Sequence, residues 1–403
     1  MNEPNHEEKS NAVRGPLQGL RVIEFASIGP GPMCCMLLAD LGADVICIER
    51  IEPSGLGLGV ERRFEVNGRG RRSVALDLKN PAGLDAALRL LDTADVLIEG
   101  FRPGVMESLG LGPTECHARN ARLVVGRMTG FGQTGPLAQA AGHDLNYIAL
   151  TGALHAFGQE GTPPMPPLNL VGDYGGGALY LAFGVMAALY ERQQSGHGQV
   201  VDAAMVDGAA SLASMFFGLL AAGNWSTQRG ANLLDGGAPF YNTYETADGK
   251  YISLGALEPK FFATLASALN LEERFVKQQY NRKLWPEMRL AIATAVLQKT
   301  REAWCTLLEG TDACFAPVLS FAEAAVHRQA VDRGAFVTLN GVQQPAPAPR
   351  FDRTPAAHPQ PTPELGEHTV MVLNLLPAVP SMKLPGELDW RLFYCNSEES
   401  PNG

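Results

Sequence analysis

Two short segments place an ionisable side chain where a loop turns into a helix. Ala141-Gly-His143-Asp144-Leu-Asn-Tyr147 offers an imidazole, and Leu170-Val-Gly-Asp173-Tyr-Gly-Gly-Gly177 offers a carboxylate 30 residues after His143. Such positions leave a base exposed and let its proton affinity be tuned by the helix end. Two bases facing one carbon from opposite sides can take a proton from one face and return one to the other. That is the chemistry of a racemase or epimerase.

Each residue also has a plainer reading. His143 precedes an apolar stretch (Leu145, Ile148, Ala149), and a helix N-terminus favours neutral imidazole, the state a base needs. A histidine that simply caps a helix fits the same pattern. Asp173 precedes the glycine-rich start of a long helix, where free N–H groups favour a carboxylate, but an N-cap aspartate needs no further role. Glu258, in Gly255-Ala-Leu-Glu258-Pro259, stands before another helix and taken singly is a structural residue as readily as a catalytic one.

Other motifs exclude chemistry. Ile28-Gly-Pro-Gly-Pro32 lies between a strand and a helix, but it lacks the third glycine of a dinucleotide fingerprint, and two prolines remove donors for a pyrophosphate. No phosphate loop ending in Gly-Lys-Ser/Thr occurs. Arg62, Arg63, Arg69, Arg71 and Arg72 fall within eleven residues, and Arg50 and Arg102 each follow a strand candidate. Arginines at strand ends suit forked recognition of phosphate; a solvated charge run is the alternative. The seven cysteines include no C-x-x-C pair or metal-ligand spacing and read as reduced core thiols.

The elements that must position these groups form an α/β pattern. Leu20–Phe25, Ala43–Ile48, Val96–Ile98, Leu123–Val125 and Gln199–Ala203 read as strands, and Pro32–Leu41 and Gly175–Gln194 as helices. Asn80-Pro81 is an N-cap with proline at the first helical position, followed by Leu84, Leu88 and Leu91 on one face. The apolar strands imply a parallel sheet covered on both faces. Residues 228–256 carry turn signals around short strands such as Tyr251–Leu254, and 259–309 read as helical. The expected organisation is a tail over 1–14, a large α/β domain over 15–215 with 335–375, a small α+β domain over 230–330, and a tail over 376–403. Residues 343–363 are proline-rich and read as a surface-hugging or linking segment.

A hydrophobic share of 46% with 18% charged residues describes a globular protein. The net charge of −10 argues against broad binding to nucleic acid or anionic membrane. No run of eighteen apolar residues and no signal-peptide pattern occurs, so the expectation is a cytoplasmic protein without membrane or nucleic-acid partners.

At this point the chain resembles a known family. Gly29-Pro-Gly-Pro32, Phe101-Arg-Pro-Gly104, Met128-Thr-Gly-Phe-Gly-Gln-Thr-Gly135, Gly142-His-Asp-Leu-Asn-Tyr147, Pro167-Leu-Asn-Leu170, Leu234-Asp-Gly-Gly-Ala-Pro239 and Gly255-Ala-Leu-Glu-Pro259 follow, in order, the pattern of the family III CoA-transferase superfamily. Within it they resemble the alpha-methylacyl-CoA racemase branch, from about Leu17 to His368. His143 beside Asp144 marks that branch; transferases align an aspartate nucleophile with Asp173 but generally lack the histidine.

The resemblance implies a large Rossmann-like domain, a smaller domain, and an interlocked homodimer. It implies interconversion of (R)- and (S)-2-methylacyl-CoA through an enolate, in lipid metabolism. His143, paired with Glu258 across the dimer, would serve one face and Asp173 the other, with backbone N–H groups around Asp144 receiving the enolate oxygen. Arg50, Arg69 and Arg102 would take the CoA phosphates, and no metal or cofactor is needed because coenzyme A is part of the substrate. Ser108 stands where a close bacterial relative has an arginine, which removes one phosphate contact. Met205 and Met215 could line the acyl pocket or pack a core. A CoA transferase using Asp173 as nucleophile, and a non-catalytic acyl-CoA-binding protein, are the alternatives.

Overall fold

The computed structural model describes residues 15–376, apart from 53, 54, 56 and 58. The tails assigned over 1–14 and beyond Leu376 lie outside the described residues. The central element is a sheet of six parallel strands: β1 (Arg21–Phe25), β2 (Asp44–Glu49), β3 (Arg71–Ala75), β4 (Val96–Glu99), β5 (Val124–Thr129) and β6 (Val200–Ala204). Their spatial order is β3-β2-β1-β4-β5-β6. Strand side chains alternate between faces, and both faces are apolar here. Val22, Val45, Val96 and Val124 pack on one side with Leu181, Val185 and Leu189. Ile23, Ile46, Leu97 and Val125 pack on the other with Leu90 and Leu91.

Helix α1 (Pro30–Asp40) follows β1, and α2 (Pro81–Leu91) follows β3. The start of α1 lies two residues before the sequence expectation, because Gly29 turns the chain at φ 72° and Pro30 has no N–H to leave unpaired. Asn80 caps α2 as read, its side chain accepting from the Ala82 N–H at 2.9 Å. Strand β3 has no apolar signature in the sequence, since it opens on Arg71-Arg72. Burial of Arg71 is possible because its Nε lies 3.0 Å from Glu24 of β1.

Beyond β5 lie α3 (Asp144–Ala149), a ten-residue π-helical segment (Leu170–Leu179) that runs on into α4 (Tyr180–Ser195), then α5 (Met205–Leu212) and α6 (Ser214–Ala221). Gly196 ends α4 at φ 79°, as its glycine predicted. The run Leu170–Ser195 is long and apolar enough to cross a membrane by length and composition, yet Leu181 and Val185 are fully buried against the sheet. Its other face exposes Leu179, Phe183, Met186 and Tyr190.

A second sheet, with a core of its own, is antiparallel: β7 (Tyr241–Glu245), β8 (Tyr251–Gly255) and β9 (Phe315–Val318). It packs with α7 (Pro259–Ala268) and α8 (Trp285–Val296) around Phe240, Phe262, Phe275, Trp285 and Trp304. The hairpin β10 (Phe336–Leu339) and β11 (Val342–Pro345) then leads the proline-rich segment back along β3. The Gly70 N–H donates to the Gln360 carbonyl at 2.9 Å, and the His368 N–H to the Ser73 carbonyl at 2.9 Å. This return covers the open edge of the parallel sheet.

Candidate active site

The strand order reverses at β1. The chain runs outward through β2 and β3, then crosses back to β4, so a crevice opens at the carboxyl ends of β1 and β4, where ligands of such sheets bind. The loop after β1 brings Ser27 and Gly29 into it, and the loop after β4 brings Gly100, Phe101 and Arg102. Glycine is needed at 29 for two reasons. Its φ is 72°, and a Cβ would stand 3.1 Å from Oδ2 of Asp173.

Asp173 is held inside the π-helical segment, four residues after Asn169, rather than at an N-cap as the sequence suggested. The helix begins earlier than Gly175 because the glycines let its backbone approach its neighbours. A Cβ on Gly172 would lie 2.4 Å from Asp144 Oδ1, and one on Gly208 of α5 would lie 1.9 Å from the Gly176 carbonyl oxygen. Asn169 Nδ2 donates to Asp173 Oδ2 at 3.1 Å. Burial pushes the Asp173 carboxyl above the usual carboxylate range; the Asn169 bond opposes this, the charge of Asp144 adds to it, and His143 opposes it.

His143 is the N-cap of α3 and is exposed, with its backbone N–H donating to Asn146 Oδ1 at 3.0 Å. The next residue, Asp144, is buried, and its Oδ1 accepts the backbone N–H of Asp173 at 2.7 Å. One carboxylate thus joins the two segments that the sequence separated by 30 residues. Tyr147 supports them from below. Its hydroxyl donates to the Gly142 carbonyl, and its ring meets Phe131 edge-on at 4.9 Å. Gly130 has no side chain because a Cβ would collide with that ring at 2.0 Å.

Glu258 is not part of this cluster within one chain. It is exposed as the N-cap of α7, and its charge acts on Cys314, whose thiol is pushed up chiefly by burial. Among the described residues no hydrogen bond or ion pair joins it to His143 or Asp173.

The arginines divide. Arg69 does not suit a phosphate, contrary to expectation: it is buried, and its guanidinium is occupied by Asp40 at 3.0 and 2.6 Å, Gln344 Oε1 at 2.9 Å and the Pro345 carbonyl at 2.7 Å. The rest of the cluster is likewise committed, Arg62 to Glu49, Arg63 to Glu61, Arg71 to Glu24 and Arg72 to Asp44. Arg50 and Arg102 are exposed at the ends of β2 and β4, and the charge of Arg102 reaches Tyr147, whose phenol is raised mainly by burial. Ser108 Oγ donates to the Val105 carbonyl at 2.7 Å. Met205 is a core residue, whereas Met215 is exposed. No group of three metal-ligating side chains occurs among the described residues.

Asn169 and Tyr147 lie in the family motifs, but neither carries a chemistry that marks it in the sequence. The spacing of Asn169 to Asp173, i to i+4 at a helix start, was the available signal.

Comparison with known proteins agrees with this architecture. The sequence model of CoA-transferase family III matches residues 17–369. Alpha-methylacyl-CoA racemase from Mus musculus is 46% identical over 361 residues, covering 89% of this chain and 92% of that protein. The racemase from Homo sapiens is 44% identical over 362 residues, with coverage of 89% and 92%. A CaiB/BaiF family protein from Brucella suis superposes with a TM-score of 0.78 at 27% identity, covering 90% of this chain and all (100%) of that one. With one family model spanning the parallel sheet, the antiparallel sheet and both halves of the crevice, this chain belongs to CoA-transferase family III.

Proposed function

We propose that this protein is an alpha-methylacyl-CoA racemase. It interconverts (R)- and (S)-2-methylacyl-CoA by moving a proton off one face of C2 and onto the other. The observation that carries this reading is the pairing of His143 with Asp173 through Asp144, at the switch point of a sheet that also presents Arg102.

The thioester carbonyl acidifies the C2 proton by delocalising the carbanion as an enolate. Asp173, partly desolvated and therefore a stronger base than a free carboxylate, serves one face. His143, exposed at the start of α3, serves the other. Charge develops on the thioester oxygen, and the free N–H of Asp144 in the first turn of α3 is the donor suited to it. Each general base is worth ~10²–10⁴-fold. No further cofactor is required, since activation comes from the thioester. Arg50 and Arg102 would hold the CoA phosphates.

Glu258 reaches His143 in this reading only from a second chain. The exposed stripe Leu179, Phe183, Met186 and Tyr190 supports a homodimer, because a patch of that kind on a soluble protein is usually covered. Unpaired cysteines and acidic charge support a cytoplasmic setting.

The test is NMR of one epimer of a 2-methylacyl-CoA in D₂O with no acceptor acid. Deuterium at C2 together with the opposite epimer is expected. Transfer of CoA only after a free carboxylic acid is added, with an acyl-enzyme at Asp173, would instead establish a CoA transferase.

A further inference from the structure

The role given to Asp144 above uses only its backbone N–H, yet its side chain is the more unusual feature. It is buried, at 8% exposure, one residue from His143 on α3. Oδ1 accepts the N–H of Asp173 at 2.7 Å, while Oδ2 has no hydrogen-bond partner among the described residues. A buried carboxylate oxygen left unsatisfied costs stability, and nothing in the packing requires a charge there, because asparagine would make the same bond to Asp173. Gly172 leaves the space that the carboxylate occupies, since a Cβ there would lie 2.4 Å from Oδ1.

We propose that the Asp144 carboxylate is a positioning residue that couples the two bases: from the residue after His143 it holds the Asp173 backbone through Oδ1 and sets a negative charge beside the Asp173 carboxyl. The inference rests on the racemase reading and deepens it. The groups facing Asp173 are few. Asp144 and His143 come from α3, with opposite effects. Tyr147, also from α3, senses the charges of Asp173, Arg102 and Asp144. On α5, Asp207 is exposed; on α1, Asp40 is already paired with Arg69. Among the described residues, Asp144 is the carboxylate that both touches Asp173 and raises it.

Asp144→Asn keeps an acceptor for the Asp173 N–H and removes the charge. The expected result is an acid limb of the exchange rate displaced to lower pH. Above that limb the rate falls by about tenfold or less, as a weakened but intact general base requires. Loss should be greater from the epimer that Asp173 deprotonates. Asp144→Ala, which removes the bond too, should lose more and lose it for both epimers. An unmoved acid limb in Asp144→Asn, with equal loss from both epimers, would overturn the proposal.

Should Asp144→Asn not fold, carboxyl ¹³C NMR of the unliganded wild type decides. The Asp173 signal, assigned by its absence in Asp173→Asn, should titrate in two steps, as a carboxyl coupled to a neighbouring charge does. A single step at the ordinary carboxylate value would overturn the coupling. This titration needs no substrate, so the coupling and the racemase reading can fail separately.

Discussion

Asp173 is raised by burial first and by Asp144 second, and a raised carboxylate weakens the fold at neutral pH. The folded state binds this proton more tightly than the unfolded chain does. Its unfavourable contribution is therefore absent below the unfolded pKa and appears as pH rises through the folded value. Asp173→Asn should abolish exchange by 10²-fold or more and yet raise stability by about 1 kcal/mol. Thermal denaturation should show that gain at pH 7 and its disappearance in the acid range. Arg69 and Arg102 give a second contrast. Removing Arg69 strands Asp40 in the core, and Arg69→Ala should cost about 3–5 kcal/mol. Arg102→Ala should leave the melting temperature alone and raise the KM for acyl-CoA by about tenfold, the loss expected of the proposed charged phosphate contact. Denaturant titration and steady-state exchange rates separate the two.

Among the elements, the π-helical segment sets the position of Asp173, and its contact with α5 is glycine on glycine. Gly208→Ala would drive a Cβ to 1.9 Å from the Gly176 carbonyl, a clash with backbone that no rotamer can relieve. A loss of about 1–3 kcal/mol is expected, with kcat falling further than stability, because the segment that moves carries Asp173, the proposed base. A variant as stable and as active as wild type would mean that the close approach of these helices is not required. Strand β3 carries a related lesson. Its arginines looked like a phosphate site, but in the folded sheet Arg71 reaches Glu24 of β1 and Arg72 reaches Asp44 of β2.

At the scale of the whole molecule, the question is where Glu258 acts. If each site combines His143 of one chain with Glu258 of its partner, His143→Ala and Glu258→Ala homodimers are both crippled. Mixing them under conditions of subunit exchange creates heterodimers with one intact site. Random exchange then restores about one quarter of the wild-type rate. No restoration, in a mixture shown by sedimentation or mass spectrometry to contain heterodimers, would place the pairing within one chain or remove Glu258 from the reaction.

The sequence by itself determined the apolar strands, the capped start of α2, the loop-to-helix placement of His143 and the motif order that carries the family. These are local: apolar residues on both faces of Arg21–Phe25, an asparagine before a proline, a histidine before an apolar turn. Tertiary structure alone decided which charges are neutralised and which remain free, since Arg69 is silenced by Asp40 and Gln344, 29 and 275 residues away in the chain. It also decided that Asp144 touches Asp173, because that contact depends on glycines letting a π-helical backbone close on α3. Electrostatic partners are chosen by distance in space, and spacing along the chain does not report that distance.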